Sequence, residues 1–210
     1  LENNYMKKRK RRKKKLPKNF YLFLRFASTG LITISIMMII IFAGREIASL
    51  PEKKRIHDDE IRKENFIEAM LPYAEENEEK YKIFPSITIA QAILESNWGE
   101  STLSKDYSNY FGIKSIRETD QRVVFQTNEY IDGKLVQIPG AFRAYDNLAA
   151  SMAHHGLLVG TADRYKPVVE SLTYQEAAKA LYACGYSTDP NYPDKLIELI
   201  EKYKLYEYDS

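Results

Sequence analysis

Cysteine is nearly absent: Cys184 is the only one in 210 residues. No intrachain disulfide can form, which excludes a small fold stapled by bridges. Cys184 has no base partner in its neighbourhood and precedes Gly185, so it reads as a core residue. The sequence also lacks H-E-x-x-H, a Cys/His cluster, G-x-S-x-G and a glycine-rich phosphate loop. Those absences argue against a zinc peptidase, a zinc module, a serine hydrolase of the elbow type and a P-loop enzyme. The adjacent pair His154-His155 is no metal pair, because neighbouring residues do not share a helix face. No metal and no other cofactor is expected, and no internal repeat is present.

Acid is missing from the beginning of the chain. Residues 1–44 hold eleven Lys and Arg against one acid, Glu2, whereas the remainder holds 20 basic and 28 acidic residues, a net charge of −8. The unbroken basic run Lys7–Lys15 could by itself contact nucleic acid. The neighbouring segment argues otherwise. Phe26 to Gly44 has no charged residue over nineteen positions, close to the ~20 that a spanning helix needs. Basic residues before it set the N-terminus on the cytoplasmic side. A cleaved signal would have a shorter apolar core of about 7–15 residues and a small-residue site, which Ile41-Phe42-Ala43-Gly44 matches poorly. The expected organisation is a basic cytoplasmic N-terminus (1–25), a single transmembrane signal anchor (26–44), a polar tether interrupted by Pro51 (45–59) and an outer domain (60–210), with the membrane and not nucleic acid as partner.

The outer part reads as mainly helical. Ile61, Phe66, Ile67, Met70, Leu71 and Tyr73 give a helical pattern to about Tyr81, with a break or kink expected at Pro72. Pro85 suits the start of a second helix, with Ile87, Ala90 and Leu94 as its inner stripe and Gly99 past its end. Val123–Tyr130 and Lys134–Phe142 flank Ile131-Asp132-Gly133, a strong hairpin signal. Asp146 or Asn147 can cap a helix to about Leu158. Thr173-x-x-Glu176 matches a capping box for a helix closed by Gly185, and Asp189-Pro190-Asn191-Tyr192 opens a last helix to about Tyr203. The fold class is α+β, helical with one β-hairpin.

Chemistry concentrates around Glu95. It is a lone carboxylate at the C-terminal end of an apolar helix, where the helix dipole and the neighbouring Trp98 disfavour its charged form. That is the condition of a general acid working near neutral pH, although an exposed helix-end glutamate has the same spacing. Glycoside hydrolysis usually needs a second carboxylate. Glu129, late in the first hairpin strand, is the candidate; an exposed cross-strand charge is its plainer reading. Trp98, Tyr110, Phe111, Tyr186 and Tyr192 supply ring faces suited to pyranoses, with Tyr107 and Tyr182 nearby, and at least half of the tyrosines are expected in core or rim. Asn109 suits either an N-acetyl carbonyl or a turn.

At these residues the chain resembles family 73 glycoside hydrolases, the bacterial endo-β-N-acetylglucosaminidases of autolysins and of the flagellar rod-associated hydrolase. The likeness rests on Ala90-Gln91-Ala92-Ile93-Leu94-Glu95-Ser96-Asn97-Trp98-Gly99, Asn109-Tyr110-Phe111-Gly112-Ile113-Lys114, Glu129-Tyr130, Phe142-Arg143-Ala144-Tyr145 and Tyr186-Ser187-Thr188-Asp189-Pro190-Asn191-Tyr192. It covers about Phe66 to Tyr203. It implies a lysozyme-like fold and cleavage of the GlcNAc-β-1,4-MurNAc bond of peptidoglycan glycan strands. Glu95 maps to the general acid, Glu129 to a hairpin carboxylate and Tyr186 to a site tyrosine; the substrate's N-acetyl group is an alternative nucleophile. The cell-wall-binding repeats of many such enzymes are absent here, and a membrane anchor stands in their place, with the enzyme outside the cell membrane. The competing expectations are a muramidase or lytic transglycosylase cutting the other glycosidic bond, and a non-catalytic glycan-binding or assembly module.

Overall fold

The computed structural model describes residues 18–116, 118–131 and 134–210; the side chains of 127–131 and 135, and of most residues between 18 and 49, lie outside that description. The chain divides into two compact units, Leu1–Asp58 and Asp59–Ser210. Helix α1 is assigned over Lys18–Tyr81. In the first unit its described surface includes an exposed Arg55–Glu52 pair one turn apart. Among the described residues no helix is long and apolar enough to cross a membrane, and most side chains of the 26–44 run fall outside them.

Neither proline ends α1: it continues through Pro51, expected to interrupt any helix in 45–59, and through Pro72, where of the break or kink expected no break occurs. Both prolines are exposed, so the helix carries them on its solvent side, where a missing N–H bond costs least. Around Pro72 the helix is held by burial on either side, at Met70 and Ala74.

In the second unit α2 (Pro85–Ser96) is the central element. Every residue from Pro85 to Ile93 is buried, as expected of a helix that is apolar nearly all round. Its first turn has no side-chain cap. Instead the Asp209 carboxylate accepts from Ser86 N at 2.9 Å and from Ser86 Oγ at 2.7 Å, placing an acid at the positive end of the helix. Burial nevertheless raises the Asp209 carboxyl above its ordinary value. The core around α2 joins Ile67, Met70 and Ala74 of α1 to α4 (Leu148–Thr161), α6 (Tyr174–Ala183) and α7 (Tyr192–Lys202).

Helix α4 lies against the end of α1 at two glycines. A Cβ at Gly156 would stand 2.0 Å from Asn77 Oδ1, and one at Gly160 would stand 2.4 Å from Tyr81 Cβ. Asn77 is itself fixed there, donating to Met152 O at 3.1 Å.

Four short elements were not expected: α3 (Thr102–Tyr107), capped by Ser101, the 3₁₀ turn Asp163–Tyr165, α5 (Lys166–Val169) and the 3₁₀ turn Leu205–Tyr208. Each is too short to show a periodic stripe. The expected caps formed elsewhere. Asn147 accepts from Ala150 N at 2.9 Å, and Thr173 accepts from Glu176 N at 3.2 Å. Tyr186 N bonds Leu181 O and Gly185 N bonds Tyr182 O, closing α6.

The hairpin pairs β1 (Arg122–Ile131) with β2 (Lys134–Arg143), in register from Arg122↔Arg143 to Ile131↔Lys134. The turn expected at Asp132-Gly133 lies outside the described residues. The hairpin root is sewn to the 108–115 loop by Arg143 N to Ile113 O and Ser115 N to Ala141 O, both 2.9 Å.

Candidate active site

Glu95 is the penultimate residue of α2 and half-buried. The helix stops directly after it because Asn97 takes the left-handed cap, and Trp98 and Gly99 come next with φ +61° and +74°. The expected stop at Gly99 therefore comes two residues early. Ser96 fastens the turn, donating to Ala92 O at 2.5 Å and accepting from Gly99 N at 2.7 Å.

The 108–114 loop is folded around one side chain. Asn109 Nδ2 donates to Ile113 O at 3.0 Å and to Arg143 O at 2.9 Å; its Oδ1 accepts from Ile113 N at 3.1 Å and Phe111 N at 3.3 Å. Asn109 thus ties the loop to the hairpin root. The same loop brings Gly112, at φ +61°, against the acid: a Cβ there would stand 3.6 Å from Glu95 Oε2. Any other residue would be strained at that φ, and its Cβ would stand in van der Waals contact with the carboxylate.

Two tyrosines face Glu95 from the other direction. Tyr192 opens α7; its hydroxyl accepts from Gln91 Nε2 at 3.1 Å and hydrogen-bonds Glu95. Tyr186 donates to Phe111 O at 3.3 Å and stacks with Tyr192 at 6.0 Å. Burial first, and the Glu95 charge second, hold both phenols well above the ordinary tyrosine value. They remain protonated donors at any ordinary pH.

The six residues expected to contact substrate divide into two groups. Asn109, Phe111 and Tyr192 are 1%, 2% and 3% exposed, so they build the site from inside and offer no ring face or free amide to a sugar. For Asn109, the turn is the reading its bonds fill. Trp98, Tyr110 and Tyr186 keep exposed surface. The Trp98 ring meets Tyr203 at 4.8 Å and Phe66 at 5.8 Å, edge-on, with Lys63 Nζ 5.5 Å from its centroid. Glu129 pairs with Val136 in the hairpin, seven residues beyond Arg122 and so roughly 23 Å along the strand at about 3.3 Å per residue; its side chain lies outside the described residues.

Sequence reasoning passed over Gln91, His155 and Gly112. Gln91 was signalled as a polar residue in an apolar helix, four residues before Glu95 and hence on its face. His155 and His154 do separate. His155 is fully buried, stacked on Phe111 at 3.9 Å, whereas His154 Nδ1 meets the Tyr145 hydroxyl at 2.5 Å near the Arg143–Asp120 pair. Among the described residues no group of three or more His, Cys, Asp or Glu could hold a metal ion.

A family model described as glucosaminidase (mannosyl-glycoprotein endo-beta-N-acetylglucosaminidase) matches residues 71–205. The exo-glucosaminidase LytG of Bacillus subtilis is 38% identical over 203 residues, 94% of this chain and 70% of that protein. A probable N-acetylmuramidase of Lactococcus lactis is 37% identical over 155 residues, 70% of this chain, which spans about a third (35%) of that relative's length. Among solved structures, a peptidoglycan hydrolase mutant from Sphingomonas sp. A1 superposes with a TM-score of 0.62 at 33% identity, covering 69% of this chain and 96% of that one. The two-stranded hairpin on a helical, lysozyme-like body and the match over 71–205 lead to one conclusion: the chain belongs to the glucosaminidase family of glycoside hydrolases.

Proposed function

We propose that this enzyme is a peptidoglycan hydrolase that cleaves the GlcNAc-β-1,4-MurNAc bond within glycan strands, with Glu95 as general acid. The observation that carries the reading is the placement of Glu95: a half-buried carboxyl at a helix end, backed by two phenols held protonated and bordered by Gly112. Glu95 protonates the glycosidic oxygen as the bond breaks. Glu129 is the second carboxylate, activating water or orienting the substrate's N-acetyl group when that group attacks. The names of the relatives support the substrate: the Sphingomonas protein is called a peptidoglycan hydrolase and the Bacillus protein an exo-glucosaminidase.

The test is mass spectrometry of peptidoglycan digested by the full chain. Fragments with reducing-end GlcNAc from strand interiors are expected. Reducing-end MurNAc or anhydro-MurNAc products would overturn the bond assignment in favour of a muramidase or transglycosylase. Release of single sugars from strand ends alone would overturn the internal mode of attack.

The same proposal includes a membrane anchor at Phe26–Gly44, with the basic segment in the cytoplasm and the catalytic unit outside. Its support is the uncharged run and the flanking charge. Full-length protein released from membranes only by detergent is the expected result. A shortened form in the medium beginning near residue 44 would replace the anchor with a cleaved signal.

A further inference from the structure

Beneath Glu95, three buried side chains from three helices are joined end to end. His155 of α4 and Gln91 of α2 are 0% exposed, and Tyr192 of α7 is 3% exposed. His155 Nε2 lies 3.0 Å from Gln91 Oε1, Gln91 Nε2 lies 3.1 Å from Tyr192 Oη, and the Tyr192 hydroxyl reaches Glu95. The far end of the row is open: His155 Nδ1 is buried with no hydrogen-bond partner. Phe111, stacked at 3.9 Å, and the edge of Tyr186 at 6.3 Å hold the imidazole.

We propose that His155 and Gln91 are positioning residues for the glycosidic cleavage proposed above, orienting the Tyr192 hydroxyl so that it donates to Glu95 and leaves the acid's own proton on the oxygen that meets the substrate.

A row of this kind has two directions, and they are not equivalent. In the first, His155 Nε2–H donates to Gln91 Oε1, Gln91 N–H donates to Tyr192, and Tyr192 O–H donates to Glu95. The one unfilled group is an acceptor, His155 Nδ1. In the second, every bond is reversed: Tyr192 donates to Gln91, Gln91 donates to Nε2, and the imidazole proton sits on Nδ1 as a buried donor without an acceptor. Orphaned buried N–H groups are rarer than under-used acceptors, because an unpaired buried donor carries its full desolvation penalty. The second direction also turns the Tyr192 lone pairs toward Glu95. The acid would then be bonded by pointing its proton inward, away from the sugar. Burial, which drives the imidazole down to about 3, keeps His155 neutral, so it always has one N–H to give. Tyr186 and Tyr192 both feel the Glu95 charge, and both stay protonated. The direction of the row is therefore set by His155.

Measuring kcat and KM on peptidoglycan across pH for the full chain tests this. In His155→Phe, which keeps the ring stack, and in Gln91→Met, of similar volume, Tyr192 is free to turn away. Glu95 loses a donor to its charged form, which raises its pKa. The alkaline limb of kcat then moves to higher pH, and kcat falls about 10–100-fold, a part of what general acid catalysis supplies, with KM within about twofold. His155→Gln, which keeps an N–H near the Nε2 position, restores the wild-type limb. If His155→Phe does not fold, Gln91→Met carries the comparison. An unmoved limb in the folded variant overturns the inference. Carboxyl carbon NMR of Glu95, identified by its loss in Glu95→Gln, separates this from the substrate reading. Wild-type protein that leaves peptidoglycan intact would sink the reading, whereas equal Glu95 midpoints in wild type and variant would sink the positioning row.

Discussion

Replacing Asn109 by Ala should unfold the catalytic unit more easily before it affects any contact with substrate. The side chain makes four hydrogen bonds, all to backbone: two received from Phe111 N and Ile113 N, two given to Ile113 O and Arg143 O. Truncation strands them unequally. Ile113 O keeps a second donor, Arg143 N at 2.9 Å. The N–H groups of Phe111 and Ile113 are left in a setting only 2% and 7% exposed. At about 1–3 kcal/mol for each buried donor without a partner, the two together come to about 2–6 kcal/mol. A water entering the vacated space brings the expected loss to about 2–4 kcal/mol. Urea unfolding followed by the single tryptophan, Trp98, packed between Phe66 and Tyr203, reads the change as a lower midpoint at unchanged slope. Asn109→Asp sharpens the test. It keeps the acceptor for both N–H groups but sets a carboxylate against two carbonyls, so relative to wild type it is destabilised at neutral pH and recovers as acid protonates it. A variant as stable as wild type with a raised KM would refute this account and assign the amide to the substrate.

Glu95→Gln should lose about 10²–10⁴ in kcat on peptidoglycan with its urea midpoint near wild type; retention of a tenth of the activity would remove Glu95 from the acid role. Glu129→Gln should be strongly impaired yet less so, because a substrate N-acetyl group can supply the nucleophile, and full activity would point to a single-acid mechanism. His155 sets part of the acid stability. Its imidazole is held down to about 3 from 6.5, so between those values the unfolded chain binds a proton that the folded one refuses. Stability contributed by neutral His155 is therefore complete above pH 6.5 and falls as pH drops toward 3, by at most about 1.4 kcal/mol per unit. Urea midpoints of wild type and His155→Phe should converge on acidification, and parallel curves would contradict the burial argument.

Much of the fold was legible because its signals are local. Pro85, Asn147, Thr173 and Gly185 mark helix ends through the conformations and caps they favour, and the Asp-Gly hairpin fixes its register by turn length. The prolines at 51 and 72 misled because local sequence does not say which face of a helix meets water. For the site, the acid and its two tyrosines were visible as residue types in ordered motifs. For Asn109 the turn was one of two readings, and only its burial decides between them. The inward role of Phe111 was not visible, since a ring next to an acid reads as a ligand contact until its burial is known. The partnership of Gln91 with His155, 64 residues apart, depends on how α4 lies beside α2, and no spacing in the chain records it.

The two glycines of α4 have a consequence for how this enzyme tolerates change. His155 reaches Gln91 only at the height where α4 rests on α1, and that height is set by Gly156 and Gly160 against Asn77 and Tyr81. Neither glycine has a functional group or touches Glu95 in any described contact. A methyl group at either would push the helix outward and draw the imidazole from the amide. A map of inactivating substitutions would therefore trace this seam as readily as the catalytic centre and could mistake one for the other. Drift along the seam is coupled for the same reason: a side chain at 156 requires a smaller residue at 77, and one at 160 meets the Cβ of residue 81 itself, so only glycine there would make room.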